Sequence, residues 1–312
     1  MFKDSINEEL FAKSMQNLKT FSKSYDEILS ELTKFKEKEN KRIKNRIKKE
    51  GFAGVIVNSY VAHKRQSKNR IIGKKIKNEV NNTTPNYFSN HRIAVYTVVF
   101  GNYDNIREPV FIPDNCDFYI VTEQKVHEDS IWKKVDISKF DSDIKDLTDK
   151  EKNRYFKLHP HLLFIDYEYS IYLDGSIVPV TDLTEFVNYI GDCGIGMFRH
   201  PGRHCVYDEC KACMYFGMIS SEQGEEHIKY LENNQMPHNY GMLEACIIAR
   251  KHNLDICKKV MNDWWNEFMH TPRRDQLSLT YVLYKNGITV DEVAFPCGFM
   301  KDHGGVARFR HK

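Results

Sequence analysis

Short apolar runs alternate with polar, helix-forming stretches from residue 93 onward. Five runs are rich in β-branched and aromatic residues and have the length of buried strands: IAVYTVVFG (93–101), CDFYIVTE (116–123), YSIYLDGSIV (169–178), IGMFRH (195–200) and CIIAR (246–250). Strands that alternate with helices predict an α/β fold with a mostly parallel sheet flanked by helices. In such sheets, ligands bind beyond the carboxyl ends of the strands.

The polar stretches between these runs predict helices over 146–164, 181–190, 220–234 and 276–287. Pro160 should interrupt the first of them, since proline breaks a helix interior. Thr181 is the expected N-cap of the second helix. Ser220 and Gln223 have the spacing of a capping box at the start of the third, and Gly287 should end the fourth.

The first 92 residues have a different pattern. Apolar residues recur at heptad spacing and indicate an a/d seam of about four heptads, formed by Phe11, Ser14, Leu18, Phe21, Tyr25, Ile28, Leu32 and Phe35. This seam predicts either a short coiled coil or an amphipathic helix packed on its own domain. Residues 64–91 are basic, then rich in Asn and Thr, as linkers are. We therefore divide the chain into a helical arm (1–63), a linker (64–91) and a main domain (92–312).

The net charge of +3 hides an asymmetry between these parts. Residues 1–92 contain 21 Lys and Arg against 10 Asp and Glu, whereas the remainder contains 25 against 33. The run 34–49 alone has nine basic and two acidic residues. The simplest interpretation of such a run is a solvated extension of the helix. A more specific hypothesis is electrostatic contact with an anionic membrane surface, worth ~1 kcal/mol per base. Nucleic acid is a poorer partner, because the run lacks aromatic residues for base stacking and the main domain is acidic.

The sequence also bears on the location of the protein. No apolar run approaches the roughly 18 residues of a membrane span. The start, MFKDSINEELF, has acidic residues where a secretory signal has its apolar core. The eight cysteines are irregularly spaced, which favours reduced thiols. We expect a cytoplasmic protein, in contact with the inner face of the membrane if the arm binds lipid.

One strand end carries the residue types of a ligand site. The run Tyr172-Leu173-Asp174-Gly175-Ser176 leads from a hydrophobic strand into a carboxylate and a glycine. A carboxylate there can hold a divalent cation, which neutralises a diphosphate leaving group. By spacing alone, a simple turn is the commoner explanation of Asp-Gly.

Several segments, in order along the chain, resemble one protein family: VYTVVFGNYD (95–104), RYFKLHP (154–160), DYEYSIYLDG (166–175), RHP (199–201), YDE (207–209) and RRDQLS (273–278). The family was once a domain of unknown function and is now described as glycosyltransferase-like. Its members include plant proteins of pectin and mucilage synthesis and proteins from bacterial polysaccharide loci. The resemblance covers about 93–305, and the arm has no recognised counterpart.

The resemblance implies a GT-A fold, in which a Rossmann-like sheet binds a nucleotide sugar, with a UDP-sugar favoured. It places the donor against the first strand and its loop, a basic pair and the Asp-Gly strand end. The donor-binding residues expected from it are Thr97, Gly101, Tyr103, Arg154, Lys157, Asp174, Gly175 and Gln276. A glycan or lipid-linked molecule is the expected acceptor, beside His200, His204 and Glu209.

A divalent metal, Mn²⁺ or Mg²⁺, is a further expectation from the resemblance. Asp174 would be the first carboxylate of the Asp-x-Asp motif, but Ser176 stands at the third position, and a hydroxyl is a poor metal ligand. His303 could make up the deficit, because imidazole suits manganese. If no metal binds, Lys157 and Arg154 must carry the charge of the leaving group.

Two carboxylates are candidates for a catalytic role, Asp275 and Glu244. An inverting transferase needs one of them as a base that deprotonates the acceptor. A retaining enzyme needs no such base, and the Asp275-Gln276 pair together with the late histidine resembles retaining families.

Three alternatives stay open at this stage. Cys210 and Cys213 have CxxC spacing near His200, His204 and Cys205, which allows a structural zinc, although no second pair lies at finger-like distance. A catalytically silent sugar- or nucleotide-binding module of a polysaccharide assembly complex would explain Ser176. A nucleic-acid-binding protein driven by the basic arm would bind with steep salt dependence.

Overall fold

A computed structural model of the protein describes residues 89–309. The coiled-coil seam, the basic run and most of the linker fall outside these residues.

The core of the domain is a six-stranded sheet with the strand order β3-β2-β1-β4-β7-β6. Its strands are β1 (Ile93–Val99), β2 (Cys116–Thr122), β3 (Lys133–Lys134), β4 (Tyr169–Asp174), β6 (Ile195–Arg199) and β7 (Leu243–Arg250). The pairs within β3-β2-β1-β4 are parallel, whereas β7 is antiparallel to both of its neighbours. A second sheet pairs β5 (Ile177–Pro179) with β8 (Val306–Arg308). The predicted α/β fold with a mostly parallel sheet is confirmed.

The 3₁₀ helix over Thr184–Tyr189 packs on one face of the sheet, and the α-helices lie on the other face or beside it. The α-helices are α1 (Asp141–Ile144), α2 (Asp149–Leu158), α3 (Pro160–Leu163), α4 (Val206–Tyr215), α5 (Ser221–Asn233), α6 (Asp255–His270), α7 (Asp275–Lys285) and α8 (Val290–Val293). Pro160 does end one helix and start the next, as predicted. The capping box before α5 is also confirmed, with Ser220 Oγ accepting from the Gln223 N–H at 3.1 Å. No helix in 89–309 combines the length and hydropathy that a membrane crossing requires.

Two sequence predictions about elements were wrong. The segment 181–190 is not an α-helix but a 3₁₀ helix over Thr184–Tyr189, and Asp182 rather than Thr181 accepts its first N–H, from Thr184 at 2.8 Å. The apolar run 169–178 is not one strand. Strand β4 ends at Asp174, and the chain turns so that β5 pairs with β8 instead of extending the main sheet. This turn leaves Asp174 at the sheet edge.

The alternation of side chains along β1 divides the core into two apolar layers. Tyr96 and Val98 face the layer that contains Phe156 of α2 and Trp264 of α6. The intervening residues, such as Val95, face the other layer. Helices α6 and α7 pack against each other, and α2 packs on α6 and β1. The result is that α2 and the N-terminal end of α7 meet beside the carboxyl end of β4.

Candidate functional site

A cavity of about 660 Å³ opens beyond the carboxyl ends of β1 and β4. Its walls are the loop after β1, the first half of α2, the end of β4 and the residue before α7. The polar and glycine residues that line it include Gly101, Tyr103, Asp104, Asp149, Lys150, Asn153, Arg154, Tyr172, Asp174, Gly175 and Arg274. This is where ligands of open parallel sheets are expected. Five of the predicted donor-binding residues are in this wall.

A charged cluster lies beside the cavity, and two of its members, Arg154 and Asp174, line the cavity wall. Lys157 Nζ lies 3.3 Å from Asp174 Oδ1 and 3.0 Å from Asp275 Oδ2, although Lys157 and Asp275 are 118 positions apart in sequence. The Lys157 side chain is 1% exposed. Arg154 Nε is also 3.0 Å from Asp275 Oδ2, and Tyr172 Oη donates to Asp174 Oδ1 at 2.8 Å. Four predicted site residues are therefore in one contact network.

The network shifts the pKa of three of its members, Asp275, Arg154 and Tyr172. Burial would raise the pKa of Asp275, but the charges of Arg154 and Lys157 outweigh it and hold that pKa well below its usual range. Burial would lower the pKa of Arg154, and Asp275 and Asp174 outweigh it in turn and raise that pKa. Burial and then the charge of Asp174 raise the pKa of Tyr172 well above its usual value. Asp275 is thus an ionised acceptor of hydrogen bonds and a weak base.

The backbone of Lys157 is held by two buried side chains, Arg250 and Tyr96. Arg250 at the end of β7 is fully buried, and its Nη1 donates to the Lys157 carbonyl at 2.7 Å. Arg250 Nη2 donates to Tyr96 Oη at 2.5 Å, and Tyr96 Oη donates to the same carbonyl at 2.9 Å. A cation at the C-terminal end of α2 is favoured by the helix dipole. These contacts hold the last turn of α2, so the Lys157 amine points at the two carboxylates.

The loop after β1 approaches α2 closely. Gly101 has φ +60°, and a Cβ there would lie 2.5 Å from Asp149 Oδ2, so this turn requires glycine. Gln124 Nε2 donates to the Gly101 carbonyl at 2.6 Å, which pins the loop to β2. Tyr103 stands at the cavity mouth with 63% of its surface exposed.

Two predicted donor-binding residues lie away from this cavity. Thr97 is buried on the opposite face of β1 from Tyr96 and Val98, and its Oγ1 has no hydrogen-bond partner among the described residues. Successive side chains of a strand point to opposite faces, and α2 covers the other one. Gln276 follows Asp275 in α7 and is absent from the cavity wall.

The contacts of His303 and Ser176 bear on the predicted metal site. Both ring nitrogens of His303 are engaged, since Nε2 lies 3.2 Å from Glu185 Oε1 and Nδ1 accepts from the Gly305 N–H at 3.1 Å. Ser176 is 1% exposed, and its carbonyl accepts from the Phe309 N–H at 2.7 Å. Within 89–309, no group of three or more His, Cys, Asp or Glu side chains is arranged to hold a metal ion. The residues as arranged do not fit a metal centre, and the metal prediction is left with Asp174.

Glu244, the second catalytic candidate, lies on β7 and outside the cavity wall. Its Oε1 accepts from Arg308 Nη1 at 2.9 Å, and its Oε2 is buried with no partner among the described residues. Burial raises the pKa of Glu244, against the opposing charge of Arg308.

The predicted acceptor-side residues form a packed corner, in which helix α4 begins at Val206 and carries Glu209. His200 Nδ1 accepts from the Gly202 and Arg203 N–H groups at 3.1 and 3.0 Å, and burial lowers its pKa to about 3. Glu209 is buried and pairs with Arg203. Burial, and then the charge of Arg199, lower the pKa of His204.

The two cysteines of the CxxC pattern have local partners. Cys210 Sγ donates to the Gly224 carbonyl at 3.4 Å, and Cys213 Sγ donates to Glu209 Oε1 at 3.5 Å. Both thiols therefore serve the packing of α4 against its surroundings in this structure.

The structure adds cavity residues that sequence reasoning did not propose as ligands, namely Asp104, Asp149, Lys150, Asn153 and Arg274. Lys150 could have been predicted from the sequence, because it precedes Arg154 by four positions and so lies on the same helical face. Arg274 could not, since its place depends on how the connection between α6 and α7 is folded.

Known glycosyltransferases share part of this fold. Similar solved structures include the apo bifunctional glycosyltransferase WbbM, at 12% identity and a TM-score of 0.40, covering 68% of this chain and 40% of that chain. Mouse xyloside xylosyltransferase 1 in its apo form matches at 9% identity and a TM-score of 0.39, covering 65% and 83%. The galactosyltransferase LgtC, in complex with donor and acceptor sugar analogs, matches at 13% identity and a TM-score of 0.36, covering 63% and 72%. This chain thus spans well under two thirds of the WbbM chain.

No curated protein sequence matches the chain. The family model for the TOD1/MUCI70, glycosyltransferase-like domain matches residues 34–302, beginning within the predicted arm. Since that match covers far more than half of the sequence, the chain belongs to the TOD1/MUCI70 glycosyltransferase-like family, as the resemblance predicted.

Proposed function

We propose that this glycosyltransferase moves a sugar from a UDP-sugar to a hydroxyl group of a glycan or lipid-linked acceptor, with retention of the anomeric configuration. The observation that carries the proposal is the Lys157 amine between Asp174 and Asp275 beside an open cavity. A fixed array of charges at a strand end stabilises charge that develops in a reaction without reorganising first.

The cavity supplies suitable groups for a nucleoside. The exposed Tyr103 ring at the mouth offers a face on which a base can stack. Asp104 and Asp149 line the wall next to it and can accept hydrogen bonds from ribose hydroxyls. We therefore assign the nucleoside to the end of the cavity near the loop after β1.

The end of the cavity at Asp174 and Arg154, next to Asp275, suits the activated sugar. Asp275, ionised by its two cations, can accept hydrogen bonds from sugar hydroxyls. Arg154 lines the cavity and touches Asp275, so its guanidinium lies between the sugar and the place for the diphosphate.

Retention is favoured by the state of the two carboxylates. A general base needs a pKa near the working pH, and the pKa of Asp275 is held far below it. Burial raises the pKa of Glu244 in the direction a base requires, but Arg308 occupies one of its oxygens. Neither candidate therefore offers a basic carboxylate that is free of a cation, since Asp275 contacts Arg154 and Lys157 and Glu244 contacts Arg308.

The cellular setting is proposed from the arm. Its basic run suits anionic lipid, so we place the enzyme in the cytoplasm at the inner face of the membrane, with coiled-coil self-association as the alternative role of the arm. The Mn²⁺ or Mg²⁺ predicted from the resemblance stays a prediction.

A thermal-shift screen of UDP-, GDP- and CMP-sugars, with and without Mn²⁺, tests the proposal. A ligand at a hundred times its Kd stabilises the native state by about 2.7 kcal/mol. We expect a UDP-sugar to raise the Tm, and Asp174→Ala to reduce that shift, because the variant removes a carboxylate that positions Lys157. Asp192→Ala, at an exposed turn, is the control and should keep the full shift.

Turnover decides between an enzyme and a silent binding module, which the absence of a second carboxylate at Ser176 would favour. Slow hydrolysis of a labelled donor without acceptor is the expected result. A Tm shift with no turnover under any acceptor would support the binding module, and no shift with any nucleotide sugar would contradict both.

A further inference from the structure

Two cations in the cavity wall have no counter-charge in contact with them. Lys150 lies on α2 and Arg274 directly precedes α7, and both line the cavity. Neither side chain forms an ion pair or a hydrogen bond with another residue of 89–309, and Arg274 Nε is buried without a partner. By contrast, Arg154 and Lys157 are paired with Asp275.

These cations are close enough to repel each other. The pKa of Lys150 is lowered, first by burial and then by the charges of Arg274 and Arg154, and Asp275 offsets part of that repulsion. Since like charges held together raise the free energy of the empty site, an anion between them would be stabilised by the same field.

The acidic residues of the cavity do not form ion pairs with Lys150 or Arg274. Asp174 is engaged by Lys157, and Asp149 lies against Gly101 on the nucleoside side. Asp104 lies beside Gly175. Lys150 and Arg274 therefore add positive charge to the cavity wall that no ion pair within 89–309 neutralises.

We propose that Lys150, Arg274 and Arg154 bind the diphosphate of the nucleotide sugar and neutralise the leaving group in place of a divalent metal. This inference rests on the proposed function and deepens it. It agrees with the contacts of His303 and Ser176, which leave Asp174 without the other expected metal ligands.

The transfer step balances without a co-reactant. The bond between the anomeric carbon and the diphosphate oxygen breaks, and both electrons go to that oxygen. The anomeric carbon bonds to the acceptor oxygen, and the hydroxyl proton of the acceptor goes to the leaving diphosphate. Guanidinium groups bind phosphate oxygens in a bidentate manner, so Arg274 and Arg154 stabilise the charge that this oxygen gains.

Calorimetric titration of the full chain tests the inference. UDP, GDP and uridine are titrated into protein treated with EDTA, then into protein with Mn²⁺. We expect UDP to bind equally in both, and Lys150→Gln or Arg274→Gln to lose about tenfold in UDP affinity, the scale of one charged hydrogen bond, with uridine binding unchanged. Lys285→Gln at the other end of α7 is the matched control and should keep full affinity.

The outcomes distinguish a failure of the metal-free diphosphate site from a failure of the proposed function. UDP binding that requires Mn²⁺ overturns the metal-free inference and keeps the proposed function. Failure of UDP and GDP to bind under either condition contradicts the proposed function itself. Lys150→Arg, which keeps the charge, should restore affinity, and equal thermal melts of all variants show that the losses are not caused by misfolding.

Discussion

Lys157 is a buried amine with carboxylates on two sides, and its neighbours depend on one another. Removing a charged group from water costs several kcal/mol, and close opposite charges offset that cost. If one partner is removed, the remaining buried charge has lost its compensation. The Lys157, Asp275 and Arg154 side chains are therefore expected to contribute to stability as well as to the reaction.

Asp275→Asn tests this coupling at a single residue. The variant keeps the shape of the side chain but leaves Arg154 and Lys157 without their shared carboxylate, so the free energy of unfolding should fall by about 3 kcal/mol. Asp263→Asn is the control, because Asp263 pairs with Lys259 at the surface and should cost below ~1 kcal/mol. Urea denaturation measures both. Equal losses in the two variants would contradict the coupling.

Single residues also show what the sequence could predict. Asp174, Arg154 and Lys157 were predicted to act together, and the structure brings them into one contact network, because strand ends and helical spacing are local properties. Thr97 was placed on the ligand side, yet it faces the opposite layer. Alternation along a strand says which residues share a face, but which face a helix covers depends on distant contacts.

At the scale of elements, the turn after β1 controls how closely the loop approaches α2. Gly101→Ala combines an unfavourable positive φ with a clash against the Asp149 carboxylate, so the loop is strained and the Asp149 side chain must rotate away. We expect a lower Tm and weaker donor binding, measured by thermal melts with and without the UDP-sugar.

Gly217→Ala provides the comparison for that prediction. Gly217 also has a positive φ, of +66°, but a Cβ there meets nothing within 4 Å. It should cost ~1–2 kcal/mol of backbone strain and leave donor binding unchanged. Donor binding that survives in Gly101→Ala would show that the loop is not part of the site.

Elements were predictable where their signals are local. The capping box of α5 and the break at Pro160 needed a few adjacent residues. The pairing of β5 with β8 did not follow from the apolar run 169–178, because its partner lies about 130 positions later in the chain. The reversed direction of β7 has the same origin, since strand direction is set by neighbours and not by the strand itself.

At the scale of the whole molecule, buried histidines couple the fold to pH. Burial lowers the pKa to about 3 for one and to about 4 for four others, the five being His200, His159, His161, His227 and His252. The carboxyls of Glu244 and Glu267 act in the opposite sense, because burial raises their pKa. The five histidines outnumber the two glutamates. The free energy of unfolding should therefore fall in mild acid, before the carboxylates of the ion pairs become protonated.

The unfolded chain binds protons at its histidines near pH 6.5, whereas the native protein resists protonation until about pH 4. Their contribution is therefore complete above about pH 6.5 and is lost as pH falls toward 4, with a slope of up to ~1.4 kcal/mol per pH unit for each histidine. Urea midpoints should fall between about pH 7.5 and about pH 5. His227→Phe, which removes a ring whose Nε2 has no partner among the described residues, should flatten that slope, while His270→Gln at an exposed position should leave it unchanged. A midpoint that stays constant over this range would show that protonation of the buried rings is not coupled to unfolding.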